Sequence, residues 1–218
     1  MNQKKVSTYV LKMSRILGYG EDALTLWALK QHTSKILEEF QDKTPISNCL
    51  IFYRPSFGRH SKVNSSVFGE FDAILVSKEK IYLIESKWDN LAEFSNSEFL
   101  LREEQTLRHE IFSWYLTHWS KNYFNNWQTF INEHKTDFKF GNKTIAPQDS
   151  LLARNLELIL SKLQENCQSY PSENNIKNVL LFFYNAEKSK PPTKTNDAFK
   201  LIPIEYNREI KGNFVTLS

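Results

Sequence analysis

The chain has 218 residues, 40% of them apolar and 14% aromatic, with 28 lysines and arginines against 25 aspartates and glutamates. That length holds one domain with a substantial core, and a formal charge of +3 permits nucleic acid as a partner without announcing it. Two cysteines, Cys49 and Cys167, make no CxxC or Cys/His cluster, which excludes a disulfide framework or a zinc ribbon and suits a reducing cytosol.

The first segment begins with lysines but lacks a continuous apolar region. No stretch approaches the roughly 20 apolar residues that cross a bilayer, so a soluble cytoplasmic protein with no membrane partner is expected. Val6, Tyr9, Val10, Met13, Ile16 and Leu17 recur at helical spacing, predicting a helix over 3–17 that ends at Gly18-Tyr19-Gly20. A second helix is expected from about Glu21 to Phe40, burying Leu24, Trp27, Ala28 and Leu37 and closed by Thr44-Pro45. Cys49–Tyr53 reads as a strand and Arg54–Ser66 as a polar loop. Then FDAILV, a turn at Ser77–Lys80 and IYLIESKW predict a β-hairpin whose apolar arms suit inner strands.

Glu98 to about Phe130 reads as mostly helical with a break near Asn125-Asn126, placing Leu100, Leu107, Ile111 and Trp114 on one face. His134–Asp149 reads as a loop, and Leu152, Leu156, Ile159 and Leu163 mark a further helix. Asn178–Tyr184 is the buried-strand candidate of the C-terminal half, and Ala198–Tyr206 an edge strand after a proline-containing loop. No repeat or interdomain linker interrupts the chain. The expectation is a single α/β layered domain over 1–218 with its core at about 18–206.

Chemistry concentrates on the hairpin. Glu85 and Lys87 are two residues apart on a strand and so share a face, whereas Ser86 and Trp88 point to the other. Antiparallel pairing sets Asp72 opposite them. Ionisable groups on inner strands are costly unless paired or bound to a metal, and two carboxylates with a lysine suit a divalent cation. Mg²⁺ (or Mn²⁺) takes hard oxygen ligands and keeps several waters. Asp72 and Glu85 are the expected ligands, with the Ser86 backbone carbonyl, and Lys87 the residue that positions a nucleophilic water.

Asp72, the hairpin and then Glu85-Ser86-Lys87 resemble the D…ExK signature of the PD-(D/E)XK nuclease superfamily, with Phe71 in place of the family's leading proline. Glu21, on the helix before the sheet, matches a glutamate that many members carry there. Gln105 matches a helical glutamine of some subfamilies, although His109 stands where those have a tyrosine. The resemblance implies a restriction-endonuclease-like three-layer α/β/α fold with a central mixed sheet. It also implies Mg²⁺- or Mn²⁺-dependent hydrolysis of phosphodiesters, most often by a DNA endonuclease in bacterial restriction, defence or DNA processing. DNA is then the expected partner, with RNA as the other polymer of that chemistry, and a homodimer or partner subunit is in keeping with the family. The other reading is a catalytically inactive nucleic-acid-binding or protein-interaction subunit on the same fold.

Plainer roles stand beside these. Glu70 shares the Asp72 strand face and is its rival. A first-turn glutamate such as Glu21 is favoured by the helix dipole alone. Gln105 and His109 share a helical stripe that reads as solvated. Arg54, Arg59, His60 and Lys62, and Lys188, Lys190 and Lys194, are candidate phosphate contacts, though loop cations usually serve solubility. The cluster Trp114, Tyr115, Trp119, Tyr123, Phe124 and Trp127 reads as packing rather than a base-stacking platform.

Overall fold

The computed structural model describes residues 16–57, 69–89, 97–120, 122–124, 126–168, 171–206, 210–211 and 213–217. In chain order the elements are β1 (Ile16–Tyr19), α1 (Gly20–Gln31), α2 (Thr33–Glu39), β2 (Leu50–Tyr53), β3 (Ala73–Val76), β4 (Ile81–Trp88) and α3 (Glu103–His118). Then follow α4 (Trp127–His134), α5 (Leu151–Asn166), β5 (Ile176–Tyr184), β6 (Phe199–Glu205), β7 (Ile210–Lys211) and β8 (Phe214–Leu217).

The chain is a mixed α/β protein built on a five-stranded sheet of order β2-β3-β4-β5-β6. β2, β3 and β4 are antiparallel neighbours, and β4, β5 and β6 run parallel. The expected hairpin forms, with Ala73 opposite Ile84 and Val76 opposite Ile81. β3 and β4 are inner strands, so both of their faces must be covered, and their side chains from Ala73 to Val76 and Ile81 to Ser86 are buried. One face, with Ile74, Val76, Ile81 and Leu83, packs against α3, α4 and α5. The other, with Ala73, Leu75, Tyr82 and Ile84, packs against α1, α2 and β8. Leu180 and Phe182 of β5 are covered by Phe99 and Leu101, just before α3.

Several expectations are corrected. Ile16 and Leu17 belong to a strand and not to the end of a helix. β1 pairs antiparallel with β8, Gly18 against Val215, in a second sheet of order β1-β8-β7. The rest of the helix expected over 3–17 lies outside the described residues. The single helix from Glu21 to Phe40 is two, because His32 leaves helical dihedrals while its N–H still bonds Ala28 O. The long helix expected from Glu98 to Phe130 begins only at Glu103 and stops at His118, and Leu100 is exposed before it. Its true start is set by Gln105, whose Oε1 accepts from the Arg102 N–H at 3.2 Å. No helix among the described residues is long and apolar enough to cross a membrane.

The aromatic cluster is core. Trp119, Trp127 and Phe130 are fully buried, with ring centroids 5.0 Å apart for Trp119–Trp127 and for Trp127–Phe130, and Trp127 Nε1 donates to Ala146 O at 2.7 Å. Only Tyr123 of the set projects outward. We expect Phe130→Ala to destabilise the fold by about 3–5 kcal/mol. Leu158→Ala, at an exposed position of α5, should stay within about 0.5 kcal/mol. Urea unfolding measures both, and equal effects would remove the cluster from the core.

Candidate active site

Glu85 is 2% exposed near the C-terminal end of β4, among residues that leave no water to solvate a charge. Among the described residues its hydrogen-bond partners come from one stripe of α3. Gln105 Nε2 donates to Oε2 at 3.0 Å, the Arg108 guanidinium bonds Oε1, and His109 Nε2 lies 3.3 Å from Oε1. Burial works against ionisation, but the His109 hydrogen bond and the Arg108 charge hold the Glu85 carboxyl below the usual range. Gln105 and His109 are therefore not on a solvated face. The polar stripe of α3 turns inward because a buried carboxylate requires donors, and His109 is fully buried. Its Nδ1 faces Asn178 Oδ1 of β5 at 2.9 Å, and its ring packs between Phe71 and Phe199 at 4.8 and 4.7 Å.

Asp72 occupies the place where β3 leaves the ladder. Phe71 packs on the α3 side while Ala73, two residues on, packs on the α1 side, so strict alternation breaks at Asp72. There the Asp72 side chain replaces a backbone acceptor, with Oδ2 taking the Ser86 N–H at 2.7 Å. Burial and the Glu85 charge push the Asp72 carboxyl up to about 7, against the pull of Lys87 and the Ser86 N–H. The two acids are thus driven apart: Glu85 holds its charge and Asp72 resists acquiring one.

Lys87 completes the group from the end of β4. Its Nζ donates to the Ser86 carbonyl at 2.6 Å and pairs with Glu21 Oε1 at 3.4 Å. Glu21 sits in the first turn of α1, and burial raises its carboxyl, with Lys87 opposing. The structure therefore brings together Asp72, Glu85, Lys87 and Glu21, with Gln105 and His109 behind them. The Ser86 carbonyl, expected as a metal ligand, already carries the Lys87 hydrogen bond. The Ser86 Oγ, on the other face, is buried with no hydrogen-bond partner among the described residues.

Glu70 is not brought in. It pairs with Arg54 Nη2 at 2.8 Å, and the same guanidinium bonds Asp22. Arg54, a candidate phosphate contact, is thereby committed to two carboxylates. Arg59, His60 and Lys62 lie outside the described residues, and Lys188, Lys190 and Lys194 are exposed. Two site residues escaped the sequence reading, Arg108 and Asn178. Arg108 falls on the Gln105–His109 stripe at i+3, which is the signal that would have found it. Asn178 is the polar residue just before the apolar run Val179–Phe183 of β5.

Among the described residues no three His, Cys, Asp or Glu side chains gather closely enough to hold a metal ion by themselves. Two carboxylates suffice for Mg²⁺, which keeps several of its waters. The donors are all oxygen, the type a hard cation takes; Asp72 Oδ1 makes no hydrogen bond among the described residues, whereas both Glu85 oxygens carry bonds from α3. Searched against known proteins, the chain matches no family model, no curated protein and no solved structure.

The raised Asp72 carboxyl makes stability depend on pH. Folded, the group titrates near 7, and unfolded near its ordinary 3.8, so the folded state holds the extra proton between those values. Stability attributable to Asp72 then falls as pH rises through that window, on the order of 1 kcal/mol per pH unit. We expect Asp72→Asn, which keeps an acceptor for the Ser86 N–H, to gain stability relative to wild type from pH 4 to pH 8. Urea midpoints in EDTA measure this, and a wild-type–variant difference that does not change with pH would refute the assignment.

Proposed function

We propose that the chain is a Mg²⁺- or Mn²⁺-dependent nuclease of the PD-(D/E)XK type, with a restriction-endonuclease-like fold, that hydrolyses phosphodiester bonds in DNA. One observation carries the reading. Two adjacent carboxylates and a lysine meet at the C-terminal end of an inner strand, and Asp72 there is short of positive charge. Supporting it, that end belongs to the parallel part of the sheet, where ligands of α/β proteins commonly bind.

A divalent cation held by Asp72 and Glu85 would neutralise charge developing on the phosphate. The protein's own groups supply the rest. Glu21 and the Ser86 carbonyl orient the Lys87 ammonium, which is largely buried and so a stronger electrostatic partner than a solvated lysine. Lys87 is then set to donate to a phosphate oxygen or orient the attacking water. Gln105, Arg108 and His109 fix the Glu85 carboxylate in one orientation and keep it ionised. These three are positioning residues.

A second reading has its own observation. Glu85 is already satisfied by three side chains, so the network is stable without a cation. That favours a nucleic-acid-binding or protein-interaction subunit which keeps the fold without the chemistry.

Cleavage of plasmid and linear DNA with Mn²⁺ separates the two. Asp72→Ala, Glu85→Gln and Lys87→Met should each lower the rate at least about 100-fold in folded protein. Glu70→Gln should stay near wild type, and EDTA should abolish cutting. Equal cleavage by wild type and Asp72→Ala would sink the enzyme reading. DNA binding with no Mn²⁺-dependent cutting would establish the second one.

A further inference from the structure

A cavity of about 300 Å³ opens beside Arg108, between α3, α5 and the segment 138–144. Among the described residues its walls are mostly apolar, formed by Leu107, Ile111, Phe138 and Leu152, and Arg108, Lys143 and Glu104 line it with charge. Arg108 joins this cavity to the carboxylate pair, because its guanidinium also bonds Glu85. The side chain is held firmly. It lies over the Phe71 ring at 5.4 Å, and a Cβ on Gly69 would come within 2.8 Å of Nη1, so a larger residue there would shift the guanidinium. The Arg108 side chain is still 16% exposed, so part of it faces the cavity, and with Lys143 it offers N–H donors to an occupant.

We propose that this cavity receives one nucleobase of an unpaired strand whose phosphate lies at Asp72 and Glu85, so that single-stranded or locally opened DNA is the substrate class. The inference rests on the nuclease reading and deepens it. An occupant that fits has a largely apolar body, acceptor atoms for Arg108 and Lys143, and a negatively charged neighbour toward the carboxylate site. A nucleobase attached to its phosphate has all three. A base still paired in a duplex presents only its edges and cannot enter, so it must leave the stack. Because Arg108 is fixed before the base arrives, binding does not have to order it.

The test uses full-length Asp72→Asn protein with Mg²⁺ present, so that the strand stays intact, and a short single-stranded DNA carrying 2-aminopurine. Entry of the probe base should raise its fluorescence severalfold, and a fully paired duplex should bind at least about tenfold more weakly. Leu107→Trp, which fills the cavity from α3, and Lys143→Glu, which reverses charge at its wall, should each weaken single-strand binding about tenfold and abolish the rise. Lys143→Glu changes a loop side chain and keeps the test valid should Leu107→Trp fail to fold. Variants that bind the probe like their parent, or a duplex bound as tightly as the single strand, would overturn the proposal. Should Lys143→Glu, with Asp72 intact, still cut single strands at the wild-type rate and affinity, the cavity assignment falls and the nuclease reading stands. A wild type that neither binds nor cuts DNA ends both.

Discussion

A carboxylate sealed inside a sheet has to be met by donors, and Glu85 organises its surroundings on that condition. Nothing on β3 or β4 beside it can donate enough, so α3 docks with its polar stripe inward and delivers Gln105, Arg108 and His109. The consequences spread from there. His109 reaches Asn178 and ties α3 to β5, Arg108 lies on Phe71, and Gln105 turns back to cap the helix that carries all three. The docking of α3 is as much an electrostatic event as a hydrophobic one, because the apolar part of the same helix closes over the core with Ile111, Phe112 and Tyr115.

Compensation is unequal, and the inequality gives the site its chemistry. Glu85 has positive neighbours and keeps its charge, whereas Asp72 has one backbone N–H and a share of Lys87, and burial beside Glu85 leaves it reluctant to ionise. A pair of acids split in this way is poised to respond to added positive charge. Removing Arg108 would leave the buried Glu85 short of its main positive partner, while removing Asp72 would relieve a repulsion. The same reasoning explains why Lys87 does not simply neutralise the pair: its ammonium is divided among the Ser86 carbonyl, Glu21 and the two acids.

On the opposite side of the sheet α1 and α2 cover Ala73, Leu75, Tyr82 and Ile84 through apolar contacts, and a buried carboxylate lies at the far end of the hairpin. Asp42 accepts hydrogen bonds from Ser77, Tyr82 and Thr44, and although burial opposes ionisation these donors hold its carboxyl low. The hairpin is thereby fixed at its turn by a satisfied network, while its open end holds the unsatisfied one. Rigidity at one end lets strain in charge persist at the other.

Much of this was legible in the residues. The hairpin, its inner position, the strand β5 and the placing of Asp72 at the Glu85 end of the hairpin follow from alternation, turn composition and a register that a four-residue turn imposes, all of them local constraints. The burial of the aromatic cluster followed from side-chain chemistry alone. What tertiary structure decided were the matters that depend on partners distant in sequence. Ile16–Tyr19 is a strand because Phe214–Leu217 pairs with it, although its own pattern fits the end of a helix. Gln105 and His109 point inward because Glu85 lies beneath them, and periodicity marks a helical stripe without saying whether water or a buried charge will face it. Spacing along the chain fixes which side chains share a face; only the packed fold fixes what that face must satisfy.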